Sequence, residues 1–129
     1  MILLDTHVVI WLALEPGRLS RNASKAISDA RRKGESLAVS DIRLLEIAIA
    51  YYKGRITLTS LESFLHEVER NFTILPIGAR ACAKSVALPK SFPNDPADRI
   101  IAATAIVEGL TLITADRGII SSKVVTTTW

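Results

Sequence analysis

The sequence predicts an α/β fold, a three-layer α/β/α arrangement around a central, mostly parallel twisted sheet. Three observations carry this expectation. Short aliphatic runs alternate with longer stretches of helical spacing, and strands alternating with helices imply βαβ units with helices on both faces of a sheet. Hydrophobic residues make up 49% of the chain but aromatics only 5%, so the apolar content is Ile, Leu, Val and Ala, as in strands and helices buried between layers. No repeat, low-complexity segment or long linker divides the 129 residues. That length supports one domain with a real core, so residues 1–129 are read as a single domain.

The elements follow in order. Ile2-Leu3-Leu4 is a first strand ending at Asp5, and Thr6–Leu14 reads as a short helix that Pro16 and Gly17 stop. Ser20 caps a helix to about Lys33, with Ala23, Ala26, Ile27 and Ala30 at helical spacing and Gly34 at its end. Leu37-Ala38-Val39 is a second strand. Ser40 is read as the cap of a helix from Asp41 to about Lys53, closed by Gly54. Thr59 or Ser60 starts a helix to roughly Arg70, whose Leu61, Phe64, Leu65 and Val68 serve either the core or an apolar patch for a partner. Residues 72–75 form a third strand, and residues 79–87 a short helix ended near Pro89. Asp95 caps the next helix, with Pro96 at its first position. From Ile100 onward that helix is apolar on nearly every side, as a buried helix is, and Gly109 stops it. Residues 110–114 form a fourth strand ending in Ala115-Asp116, and a last short strand is expected at residues 124–126.

Charge and cysteine content narrow the function classes. Sixteen basic against thirteen acidic residues leave +3, which permits a polyanionic partner without demanding one. The single Cys82 excludes an intrachain disulfide and a cysteine-based zinc site, and it points to a reducing compartment. The chain opens on Met-Ile-Leu-Leu-Asp with no basic n-region, so no signal peptide is expected. Asp5 and Glu108 interrupt the longest apolar stretches, so no membrane span is expected and the location expected is cytoplasmic.

In a sheet of this kind the ligand site lies outside the carboxyl ends of the strands. Asp5 and Asp116 each follow a strand there. Glu46 is the only polar residue of Leu44-Leu45-Glu46-Ile47-Ala48-Ile49-Ala50, on a helix that starts at the same edge. A glutamate among aliphatic residues costs several kcal/mol unless it is paired or holds a cation. Asp98 lies in the first turn of the buried helix, where the helix dipole favours its charge. Four such acids repel one another, and one or two would take up protons near neutral pH unless a cation intervenes. Hard oxygen donors suit Mg²⁺ or Mn²⁺ rather than zinc, and such a site is the usual machinery for phosphodiester hydrolysis by metal-activated water.

Each residue also has a plainer reading. Asp5 serves as a helix cap, Glu46 pairs with Arg43 one turn back, Asp116 is a turn residue before Gly118, and Asp98 completes a capping-box-like pair with Asp95. Asp95 is assigned mainly to its cap, with a place near the metal as the other reading. The hydroxyls of Thr6, Ser40 and Thr114 stand beside the acids, either to orient them or as ordinary strand-end and cap chemistry. Arg99 and Arg117 each follow an acid immediately, and either contact phosphates or form surface ion pairs. His7 is read as structural or as part of a rim.

Four segments carry a family resemblance. Leu-Leu-Asp-Thr-His-Val-Val-Ile-Trp at 3–11, Val-Ser-Asp-Ile-Arg-Leu-Leu-Glu-Ile-Ala at 39–48, Asp-Pro-Ala-Asp-Arg-Ile-Ile-Ala-Ala-Thr-Ala at 95–105 and Leu-Thr-Leu-Ile-Thr-Ala-Asp at 110–116 resemble the PIN domain. Within it, they resemble most the VapC-type toxins of bacterial and archaeal toxin–antitoxin pairs. The likeness covers nearly the whole chain, with its motifs in order. It implies a PIN-like, doubly wound parallel sheet and a Mg²⁺-dependent endoribonuclease in which Mn²⁺ can substitute. It implies that the family's acidic quartet falls on Asp5, Glu46, Asp98 and Asp116, with the hydroxyl two residues before the last acid at Thr114. It also implies a homodimer and a VapB-type antitoxin whose tail enters the acidic groove, often by an arginine. The chain departs from many relatives at Asn94, where they carry His, and at Leu45, where they carry Trp; neither is a ligand position.

Two rivals stand beside this reading. An aspartyl phosphotransferase would use Asp5 as nucleophile. The haloacid-dehalogenase-type motif wants another Asp where His7 stands, and a receiver-type site wants a late lysine that Lys123 is poorly placed to supply. A non-catalytic PIN-fold module would bind nucleic acid or protein through the same surface.

Overall fold

The computed structural model describes residues 1–129 and builds them on five short parallel strands. These are β1 (Ile2–Leu4), β2 (Leu37–Ser40), β3 (Thr73–Leu75), β4 (Thr111–Ile113) and β5 (Thr127–Thr128), in the order β3-β2-β1-β4-β5. Between them run α1 (Thr6–Leu14), α2 (Arg21–Arg32), α3 (Ile42–Tyr52), α4 (Leu61–Asn71), α5 (Ala79–Ala87), α6 (Pro96–Glu108) and α7 (Arg117–Ser122), with a 3₁₀ turn at Pro16–Arg18. The α/β class and the parallel sheet expected from the sequence are what the chain adopts.

Successive strand residues point to opposite faces of a sheet, and here each face receives its own core. Leu4, Val39 and Ile113 point to the side covered by α1 to α4, where they meet Val8, Val9, Ile27, Ile47 and Val68. Their neighbours Leu3, Ala38 and Leu112 point to the other side, against Ile101, Ala102 and Ala105 of α6 and Ile119 of α7. That is why the strands read as unbroken apolar runs and why α6 is apolar nearly all round. The α4 residues Leu61, Phe64 and Leu65 pack on the first core, so its apolar face is core rather than a free patch. Gly109, at φ +66°, supplies the left-handed residue that ends α6, a conformation disfavoured for side chains with a Cβ.

Some local expectations need correction. Ser40 does not cap α3: it is the last residue of β2, and the cap position falls on Asp41, whose side chain makes no capping bond. The last strand is Thr127–Thr128, not residues 124–126, because Val125 turns into the core of the α6 side and the ladder starts where Leu112 N donates to Thr126 O. Asp116 is not a plain turn residue: its Oδ1 accepts from Ile119 N at 2.9 Å and caps α7, a helix that Gly118 disguises in the sequence.

Arg99 is bound into the fold. Its guanidinium donates to the carbonyls of Ser85 (3.0 Å), Leu88 (3.5 Å) and Pro89 (3.2 Å), satisfying acceptors at and just beyond the end of α5 and tying that helix to α6. The phosphate contact considered for it is therefore replaced by a structural clamp. Arg99→Met is expected to lower stability by about 1–3 kcal/mol, read as a drop in the urea midpoint at unchanged slope. A midpoint equal to that of the wild type would show the clamp to be idle.

Candidate active site

β1 and β4 are neighbours, and the strand order departs from them in opposite directions, so the crevice beyond their carboxyl ends is the place where such sheets bind ligands. Thr114 joins the two strand ends. Fully buried, it donates its hydroxyl to Asp5 Oδ2 at 2.6 Å and accepts from Asp116 N at 3.0 Å. Asp5 Oδ1 accepts from Thr6 N at 2.7 Å as the cap of α1. One carboxylate, 6% exposed, is thus fixed on both oxygens.

On α3, Arg43 and Glu46 stand three residues apart on one face. Thr6 Oγ1 donates to Glu46 Oε1 at 3.0 Å, and Arg43 Nη1 donates to the same oxygen. Arg43 Nη2 lies 2.9 Å from Asp5 Oδ1 and 3.7 Å from Asp98 Oδ1. A guanidinium 1% exposed therefore faces three carboxylates from three parts of the chain. Its Nε and Nη2 make no aligned hydrogen bond, so on the Asp5 and Asp98 side it contributes charge more than donor geometry. Burial works against its charge, but Asp5, Glu46 and Asp98 outweigh that and hold its pKa above the usual value.

Asp95 caps α6, its Oδ1 accepting from Ala97 N (2.8 Å) and Asp98 N (3.3 Å). Asp98 follows in the first turn. Burial pushes its pKa up; Arg43 opposes the shift, Asp95, Asp5 and Asp116 add to it, and the carboxyl ends at about 6.

These groups open onto one cleft of about 440 Å³. Its wall carries the carboxylates of Asp5, Glu15, Glu46, Asp95, Asp98 and Asp116 against the guanidinium groups of Arg18, Arg43 and Arg55, so it is acidic in a chain of net charge +3. The donor chemistry, hard oxygens in excess over the local positive charge, fits Mg²⁺ or Mn²⁺. The raised Asp98 is the strain such an ion would relieve. No three of the acids already converge as a metal site, and three of them close on Arg43 instead.

The four acids singled out from the sequence thus come together with Asp95, Thr6 and Thr114, while Ser40 does not join them: its buried hydroxyl has no hydrogen-bond partner and does not line the cleft. Arg117 is exposed at the start of α7, next to Asp116, and does not itself line the cleft. His7 is a rim residue, 5.6 Å from Trp11, whose ring also carries the Arg18 guanidinium at 4.6 Å. No lysine lines the cleft, so a receiver-type site lacks its cation. Sequence reasoning matched Arg43 with Glu46 but missed its two distant partners. The available signal was an arginine three and four residues before Glu46 and Ile47, hence on the helix's buried face.

Comparison with known proteins identifies the family and supports the fold. A family model described as the PIN domain matches residues 2–123. Ribonuclease VapC22 of Mycobacterium tuberculosis is 42% identical over 123 residues, covering 95% of this chain and 92% of that protein. A toxin–antitoxin complex from Klebsiella pneumoniae contains a chain 26% identical to this one, with a TM-score of 0.62 over 90% of this chain and 87% of that one. VapBC2 from Rickettsia felis, bound to a promoter DNA fragment, shares the fold at 18% identity, with a TM-score of 0.73 over 98% of this chain and 97% of that one.

Without metal, folded Asp98 holds its proton more tightly than the unfolded chain does. The stability this gives is full below the unfolded value of 3.8 and is lost as pH rises through about 6. Asp98→Asn removes the buried charge. In EDTA at pH 7.5 it is expected to stabilise the protein by on the order of 1–2 kcal/mol, with little difference at pH 4. Urea unfolding at both pH values checks this, and a variant less stable than wild type at pH 7.5 would contradict it.

Proposed function

The chain belongs to the PIN-domain family, and on that premise we propose that it is a Mg²⁺-dependent endoribonuclease acting as the toxin of a toxin–antitoxin pair. The observation that carries the reading is the meeting of Asp5, Glu46, Asp98 and Asp116, from four parts of the chain, on one acidic cleft. The mycobacterial relative is named a ribonuclease, and the Klebsiella chain comes from a toxin–antitoxin complex, which supports the same reading.

Mg²⁺, or Mn²⁺ in its place, held by Asp5, Glu46, Asp98 and Asp116, would supply Lewis-acid neutralisation of the phosphate and a more acidic attacking water. The chain's own part is positioning. Thr114 and the α1 cap hold Asp5 in one rotamer, Thr6 holds Glu46, and the Asp95 cap holds the first turn that carries Asp98. Arg18 and Arg55 on the cleft wall offer positive charge to phosphates flanking the scissile one. Arg117, exposed and in none of the ion pairs, is a further candidate phosphate contact.

The proposed partners are a VapB-type antitoxin and a second copy of the chain. Leu45, Ile49 and Tyr52 lie along the outer side of α3 with 55%, 41% and 90% exposure, an apolar stripe of the kind that partners cover.

Purified protein with Mn²⁺ and a pool of structured RNAs tests the reading. Wild type is expected to create new 5′ ends that vanish in EDTA, and Asp5→Asn is expected to cut at least about 100-fold more slowly. Asp5→Asn cutting at the wild-type rate would overturn the assignment. RNA bound without cleavage, with or without metal, would favour the binding module instead.

A further inference from the structure

Arg43 has no part in the reaction proposed above, yet it is the largest fully buried side chain of the protein and faces three of its acids. We propose that Arg43 is a built-in counter-ion that competes with the divalent cation for Asp5, Glu46 and Asp98, so that the metal affinity of the cleft is set by how readily the guanidinium gives way. The inference rests on the metal-dependent reading of the cleft and deepens it.

The geometry separates Arg43 from an ordinary structural arginine. Arg99 uses its N–H groups on three carbonyl oxygens. Arg43 makes one aligned contact, to Glu46, and leaves Nε and Nη2 without an aligned acceptor, although carboxylate oxygens stand 2.9 and 3.7 Å from Nη2. A buried fork left partly unused is costly, and it is held there by charge. One positive charge faces three carboxylates, with Asp95 and Asp116 beside them on the cleft wall, so neutralisation is incomplete.

The oxygens that Arg43 approaches are the oxygens a divalent ion would need. Two cations a few ångströms apart in a site shielded from water repel strongly, so both cannot occupy those oxygens at once. Arg43 borders the cleft, which gives its head a direction in which to withdraw. In metal-free protein the same guanidinium holds the acids together, so removing it trades fold stability for metal affinity.

Binding of Mn²⁺, followed by the loss of the free-ion electron paramagnetic resonance signal, tests this on wild type, Arg43→Gln, Arg43→Lys and Asp5→Asn. Arg43→Gln is expected to bind Mn²⁺ at least about tenfold more tightly than wild type, and Arg43→Lys, which keeps the charge, within about threefold of it. Asp5→Asn is expected to bind more weakly. Equal or weaker binding by Arg43→Gln overturns the inference while leaving the metal reading in place. No binding by either wild type or Arg43→Gln overturns both. Because Arg43→Gln leaves three carboxylates without their counter-ion, a second measurement uses the unaltered side chain. The Arg43 Nε–H resonance of wild type is expected to shift on addition of Mg²⁺ and to stay still in Asp5→Asn. A stationary resonance in wild type saturated with Mg²⁺ overturns the inference.

Discussion

A single buried guanidinium, that of Arg43, stands between Asp5, Glu46 and Asp98, and the carboxyl edge of the sheet depends on it. Burying any one of these acids alone would cost several kcal/mol. Gathered together they would also repel: burial first, and then the neighbouring acids, push the pKa of Asp98 up even with the arginine in place. The protein thus keeps an arrangement that is poor for stability and suited to holding cations. Strain of this kind is common where a fold carries function rather than packing.

The sheet explains why the strain is gathered where it is. β1 is flanked by β2 on one side and β4 on the other, and the chain moves outward from this centre in both directions. Alternating strand residues feed two separate cores, which fix the register of β1 against β4 through the pairs Leu3 with Leu112 and Leu4 with Ile113. That register brings Asp5 beside Thr114, and the backbone carries the pairing one step further, with Asp5 N donating to Ile113 O. Apolar packing far from the cleft thereby sets the position of an acid within it.

Much of this was legible from local chemistry. The aliphatic runs located all the longer elements, and the positions of Asp5, Glu46, Asp98 and Asp116 relative to them located the cleft. The plainer readings of Asp5, as a cap, and of Glu46, as the partner of Arg43, also hold, because capping or pairing and facing a cleft do not exclude each other. Asp95 and Asp116 each cap a helix through Oδ1 alone, leaving the other oxygen for the cleft. What stayed hidden depends on distance or on weak local signals. Helix α7 is six residues long with Gly118 inside it, and β5 pairs through two threonines while the more strand-like Val124 and Val125 lie outside the ladder. Arg99 reaches carbonyls ten to fourteen residues back, and Arg43 finds two of its partners only through the fold. Neighbours in sequence suggested phosphate for the first and a single glutamate for the second.

A cation held among the acids of the cleft is the premise of the proposed function. Crystals grown in MnCl₂ and measured near the manganese absorption edge would test that directly through the anomalous difference map. The account predicts a strong peak in the cleft, bounded by the carboxylates of Asp5 and Asp98. A map with manganese bound elsewhere on the protein and none among these acids would contradict it.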